Sequence, residues 1–147
     1  MAILGPRHRM ETHLDTVRLD SETKTRLSTL KRRTGIENWN TLCRWAFCIS
    51  ISDPSPIRGI REQGIGAVEM TWKTFAGEEE EIYRLLLAER TASDLGVVDR
   101  DGLAKTVRQH IARGTARLVG NRQLKSARDL IEVALMAPAD DASPIPK

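Results

Sequence analysis

Polar and apolar residues alternate in "TVRLD", Thr16 to Asp20. The alternation predicts a short strand with Val17 and Leu19 on the buried side and Thr16, Arg18 and Asp20 outside. Asp20 or Ser21 then caps a helix. Within that helix Thr23, Leu27, Leu30 and Thr34 recur at helical spacing and form one narrow stripe. Lys24 and Lys31 flank the stripe on one side, Arg26 and Arg33 on the other. Gly35 follows the last turn and suits a left-handed stop.

A second helix is expected from about Asn38. The stretch "NWNTLCRWAFCIS", Asn38 to Ser50, holds two of the chain's three Trp, both of its Cys and one of its two Phe. At about 100° per residue, Trp39, Leu42, Cys43, Trp45, Ala46, Phe47 and Ile49 cover roughly 200° of the helix. A surface helix needs an apolar stripe only a little over about 100° wide. The helix is therefore either central to the core or buried on two sides, one of them by another subunit.

"DPSPIRGIREQGIG", Asp53 to Gly66, reads as a loop. Its Gly64-Ile65-Gly66 lacks the third glycine and following helix of a phosphate-binding loop, so turn chemistry accounts for it. "AVEMTWKTF", Ala67 to Phe75, predicts a strand or hairpin arm with Val68, Met70 and Trp72 inward, ended by Gly77. Glu78 to Glu81 opens a helix running to about Ser93, its acidic first turn matching the helix dipole. Two more helices are expected over roughly 102–119 and 124–136. The fold class is mainly α with short strands: one domain over 14–136, a loose N-terminus over 1–13, and a disordered tail over 137–147, "APADDASPIPK".

The net charge of +3 hides a strong polarity along the chain. Residues 69–99 carry three basic and eight acidic side chains, 100–128 carry eight basic and one acidic, and 18–44 carry seven basic and three acidic. On the helix over 102–119, Leu103, Ala104, Val107, Ile111, Gly114 and Leu118 share one face. Lys105, Arg108, Arg113 and Arg117 are spread over the other. A face so poor in acids departs from the mixed signs of an ordinary solvated surface, and Arg suits bidentate phosphate contacts. Aromatic residues are absent from this segment, which favours duplex backbone over stacked single strands.

No active site is evident. His8 and His13 sit in or beside the loose N-terminus, and His110 reads as a partly buried structural histidine. No nucleotide loop, paired carboxylates or Ser-His-Asp order stands out. Cys43 and Cys48 point to different faces of one helix and read as reduced, inert thiols of a cytoplasmic protein. No metal or other cofactor is expected, since the ligands have no metal-binding spacing. No apolar run approaches the roughly 20 residues of a membrane span, and no signal-type apolar segment is present.

The order strand, basic helix, glycine turn, apolar helix resembles the ribbon-helix-helix arrangement, in which two chains pair their strands. More specifically, Val17 to Ser50 resembles the start of the DndE family of DNA phosphorothioate modification proteins. "TGIENWNTLCRWAFC" and "KTFAGE" (Lys73 to Glu78) carry the likeness. The resemblance implies a mostly helical, non-enzymatic, self-associating protein, with a tetramer favoured. It also implies binding to double-stranded DNA, with a preference for nicks, beside other proteins of the phosphorothioation machinery that perform the catalysis. It places Lys31 in a basic DNA-binding region, reinforced here by Arg32 and Arg33. The candidate DNA-binding set is thus Arg18, Lys24, Lys31, Arg32, Arg33, Lys105, Arg108, Arg113 and Arg117. The candidate subunit interface is Trp39, Leu42, Trp45, Ala46, Phe47 and Ile49.

Two other readings fit the residues. A ribbon-helix-helix transcriptional regulator would read bases through Thr16 and Arg18 in a two-stranded ribbon. A scaffold would instead dock a partner protein on the acidic segment 78–81.

Overall fold

A computed structural model describes residues 13–142, with side chains through 135. Strand β1 (Thr16–Leu19) leads into helix α1 (Ser21–Thr34), followed by α2 (Trp39–Ile51). The chain then runs without helix or strand to β2 (Val68–Thr71). A short helix α3 (Trp72–Ala76), a 3-10 turn over Gly77–Glu79, and α4 (Glu80–Leu95), α5 (Arg100–Gly120) and α6 (Ala127–Ala142) complete the order.

Local rules account for the first elements. Val17 and Leu19 are fully buried. The Asp20 carboxylate accepts from the Thr23 backbone N–H at 3.0 Å and caps α1, which satisfies one of the free donors of the first turn. Thr23, Leu27, Leu30 and Thr34 are the buried stripe of α1, and Gly35 closes it in the left-handed region at φ 75°.

β1 pairs antiparallel with β2 of the same chain, Thr16 opposite Thr71 and Arg18 opposite Glu69. This departs from the ribbon-helix-helix expectation, in which the strand would pair with its copy in a second chain. The expected inward strand position of Trp72 is also corrected. The strand ends at Thr71, whose hydroxyl caps α3 by accepting from the Thr74 N–H. Trp72 is buried from the first turn of that helix.

The centre of the molecule is α5, which packs against α1, α2, α4 and β1. Its buried set is wider than the one face expected. It adds Thr106, His110, Ala112 and Thr115 to the apolar residues, and the Thr115 hydroxyl is satisfied by the Ala112 carbonyl at 3.0 Å. α2 crosses α5 where Gly114 meets Ala46: a Cβ on Gly114 would lie 1.9 Å from the Ala46 carbonyl oxygen. Backbone approach this close requires glycine.

The wide apolar arc of α2 is satisfied within the chain. Leu42, Ala46 and Phe47 are wholly buried and Ile49 nearly so, packed against α3 and α5. A second subunit is not needed to explain them, and of the expected interface residues only Trp39 and Trp45 keep part of their surface exposed. An aromatic cluster joins α2, α3 and α4: Phe47 and Phe75 meet edge-on at 5.6 Å, and Phe75 and Tyr83 at 5.7 Å. Such pairs add about 0.5–1.5 kcal/mol beyond their area.

α6 continues to Ala142, past the expected boundary at 136. The remainder of the expected tail and nearly all of the expected loose N-terminus lie outside the described residues, as does His8.

Candidate nucleic-acid interface

The cations fall into two groups by what holds them. Lys24, Lys31 and Arg32 stand exposed on α1, and Lys105 stands exposed on α5. None of these four has an ion pair or side-chain hydrogen bond among the described residues. The buried stripe of α1 fixes which way its basic side faces. Arg33 is half-buried and spends a donor on the Val119 carbonyl at 2.9 Å, tying the ends of α1 and α5 together. Arg18 is half-exposed and faces Glu69 across the ribbon at 2.6 Å.

The second group straps a loop. Arg113, expected on an outward face, turns into the end of α2. It donates to the Ser50 hydroxyl at 2.8 Å, the Ser50 carbonyl at 2.7 Å and the Ser55 carbonyl at 2.9 Å. Arg90 approaches the same segment from α4, donating to the carbonyls of Ile51, Asp53 and Ser55 at 2.9–3.0 Å and to Asp94 at 2.9 Å. Cations on the free carbonyls of a helix C-terminus complement its dipole. Arg108 forks onto both oxygens of Glu62 at 2.8 and 3.2 Å. Arg117 binds Asp53 at 2.5 Å. The backbone N–H of Ser55, then its hydroxyl and Arg117, hold the Asp53 carboxyl well below the usual range. Arg108, Arg113 and Arg117 thus organise residues 53–62 rather than presenting a row of free guanidinium groups.

Sequence reasoning missed Arg90, Arg58 and Arg61. Arg90 sat inside a segment read as acidic. Arg58 and Arg61 sat inside a loop read as punctuation, yet both are exposed and line a cleft between α1, that loop and α5.

Ser50, His110 and Asp94 come together although no sequence order marked them. The Asp94 carboxylate lies 2.9 Å from His110 Nε2, and Ser50 Oγ lies 2.8 Å from Nδ1. Nε2–H donates to the carboxylate, so Nδ1 accepts from the serine hydroxyl. Burial lowers the His110 pKa, opposed in part by Asp94. Burial alone would raise Asp94, but hydrogen bonds from His110 and Arg90 outweigh it and hold the carboxyl below its usual range. Ser50 and His110 are fully buried and the serine oxygen already accepts from Arg113. The chain of bonds ties α2, α4 and α5 to one another.

Burial pushes the Cys43 thiol up to about 12. Burial also raises Cys48, whose sulfur lies 3.7 Å from the Tyr83 hydroxyl. Among the described residues no group of three His, Cys, Asp or Glu side chains is placed to hold a metal ion. No helix there is long and apolar enough to cross a membrane.

The architecture is a small, mainly helical fold with a two-stranded antiparallel ribbon. The sequence model of the family described as DNA sulphur modification protein DndE matches residues 16–126, and the chain belongs to that family. The fold is similar to the crystal structure of DndE from Escherichia coli B7A, a protein involved in DNA phosphorothioation modification. The TM-score is 0.57 and the identity 24%, over 71% of this chain and 96% of that one. No curated protein matches the chain significantly.

Proposed function

We propose that the chain is a non-enzymatic, DNA-binding subunit of a bacterial phosphorothioate modification system, working in the cytoplasm beside the proteins that carry out the sulfur chemistry. The observation that carries this reading is the unpaired, outward set Lys24, Lys31 and Arg32 on α1. Cations without an acidic neighbour are available to phosphate, and such contacts set position without reading sequence. Duplex DNA, nicked or intact, is the expected ligand. Arg18 and Lys105 extend the basic surface, and Arg33, Arg108, Arg113 and Arg117 contribute field more than direct contacts. A regulator reading bases through β1 is less well supported, because Arg18 is held by Glu69 and the ribbon closes within one chain.

Self-association is part of the proposal, with a tetramer favoured. Its support is the apolar surface left outside: Ile82 and Leu85 on α4 are 53% and 62% exposed, and Ile131 and Leu135 on α6 are 50% and 74% exposed. Trp39 and Trp45 on α2 add to it.

The test is a salt titration of binding to an intact duplex, a singly nicked duplex and a promoter duplex, with light scattering for mass. Sequence-independent affinity that falls steeply with salt is expected, and the triple variant Lys24→Glu, Lys31→Glu, Arg32→Glu is expected to lose it. Tight preference for the promoter, or full affinity in the triple variant, would overturn the reading.

A further inference from the structure

The cleft between the N-terminal half of α1, residues 55–61 and the middle of α5 has a volume of about 620 Å³. That lies within the roughly 300–1,000 Å³ of sites that enclose a small ligand. Five arginines line it, Arg26, Arg58, Arg61, Arg113 and Arg117, against two carboxylates, Asp20 and Glu22. Those acids are committed: Asp20 caps α1 and Glu22 holds Arg26 at 3.0 Å. Asp53, just outside, holds Arg117. Arg58 and Arg61 have no ion pair or hydrogen bond among the described residues. Burial, and then the charge of Arg117, push the Arg113 pKa below its ordinary value, as expected where positive charge is crowded without full compensation. The wall between the cations is apolar, formed by Pro56, Ile57, Ile60 and Ala112.

An apolar wall ringed by guanidinium groups suits a ligand with a flat apolar body and a multiply charged oxyanion. A duplex keeps its phosphates on the outside of a wide cylinder and does not enter such a cleft, whereas a single nucleotide at a strand end does. A terminal phosphate monoester carries nearly two negative charges near neutral pH, against one for a diester in mid-strand. Forked guanidinium donors match it in geometry as well as charge.

We infer that this cleft binds the terminal nucleotide of a DNA strand through its phosphate monoester, with Arg58 and Arg61 as the principal phosphate ligands and Arg113 and Arg117 as fixed charge behind them. The inference rests on the DNA-binding reading and extends it to strand ends.

The test compares matched duplexes that are blunt, or that carry a short single-stranded end finished with phosphate or with hydroxyl, at the 5′ or the 3′ terminus. Binding is followed by fluorescence anisotropy for the wild type and for Arg58→Gln/Arg61→Gln, whose side chains hold no hydrogen bond or ion pair among the described residues. A terminal phosphate at one of the two ends is expected to raise affinity about tenfold, the worth of one charge-assisted hydrogen bond. The double variant is expected to lose that gain while keeping its blunt-duplex affinity within about twofold. Adenosine monophosphate is expected to compete for the gain better than inorganic phosphate at equal concentration. Equal affinity for phosphate and hydroxyl ends, or a gain that survives in the double variant, would overturn the inference alone. Equal competition by inorganic phosphate would replace it with a simple anion site. A double variant that changes mass in light scattering, with no phosphate gain in the wild type, would assign the cleft to an acidic segment of a second copy. Binding to phosphorylated ends with none to the blunt duplex would overturn the α1 reading and leave the cleft standing. No binding to any duplex would overturn both.

Discussion

Replacing Gly114 with alanine tests the central packing of the fold. The added Cβ would lie 1.9 Å from the Ala46 carbonyl oxygen, 2.5 Å from its carbon and 2.7 Å from its Cα. All three are backbone atoms of α2, so no side-chain rotation relieves the clash. A carbon–oxygen approach needs about 3.3 Å, which requires the two helices to part by roughly 1.4 Å along that line. Overpacking typically costs 1–3 kcal/mol, and moving two helices in the core places this change near the top, at about 3 kcal/mol. Helix propensity works the other way, since alanine is better than glycine by about 1 kcal/mol in a helix interior. The net expectation is a loss of about 2 kcal/mol. At about 2–4 °C per kcal/mol for a chain of this size, Tm falls by roughly 4–8 °C. Urea and thermal unfolding followed by circular dichroism measure it. Gly120, on the same helix, where an added Cβ would meet nothing within 4 Å, is the control: Gly120→Ala is expected to match or exceed the wild type. A Gly114→Ala protein as stable as the wild type, with the same denaturant slope, would refute the packing argument.

Arg90→Ala strips the Ile51 carbonyl of its arginine and leaves Asp94 to His110 and the Asp53 and Ser55 carbonyls to Arg113, in a place where the arginine side chain is only 8% exposed; a loss of about 3 kcal/mol is expected, with new proteolytic cleavage within 53–61 as the sign that the strap is loosened. The pH dependence follows from His110 and Asp94, whose pKa values are both lowered on folding. The folded state then binds fewer protons than the unfolded state, so stability is full above the ordinary histidine value of 6.5 and falls as pH drops through it, then falls again through the ordinary aspartate value of 3.8. Equal unfolding midpoints at about pH 7.5 and about pH 5 would contradict this, and His110→Gln is expected to flatten the upper step. Cys43, buried with its pKa near 12, is expected to react with a thiol reagent only as fast as the protein unfolds; fast native labelling at Cys43, mapped by mass spectrometry, would show the core to be open there.

Much of the fold was legible wherever its cause was local. The cap at Asp20, the stripe of α1 and the stop at Gly35 follow from residues within one or two turns of each other. Trp72 was misplaced because Thr71 caps a helix that alternation alone does not reveal. The basic helix was misread for a different reason. Its arginines find their partners in residues 50–62, dozens of positions away, and charge on a helical wheel does not distinguish a cation facing water from one facing a carbonyl. His110, read as partly buried, lies wholly inside, and hydrogen bonds allow it and Thr115 to be there. One signal was present: Gly114, in mid-helix, costs helix stability unless a close approach needs it. The outward cations of α1 were legible because the stripe opposite them was. Arg58 and Arg61 were not, since a loop carries no periodicity from which to read a side.

The central position of α5 also governs how the chain is made. Its last residue, Gly120, is added roughly 70 positions after Ile51 completes the apolar helix α2, a delay of roughly 3–14 s at ordinary translation speeds. Throughout that interval Leu42, Ala46 and Phe47 lack their main covering surface. The N-terminal half therefore cannot settle as a unit of its own. A chain stalled before residue 120 would leave Leu42, Ala46 and Phe47 without that cover.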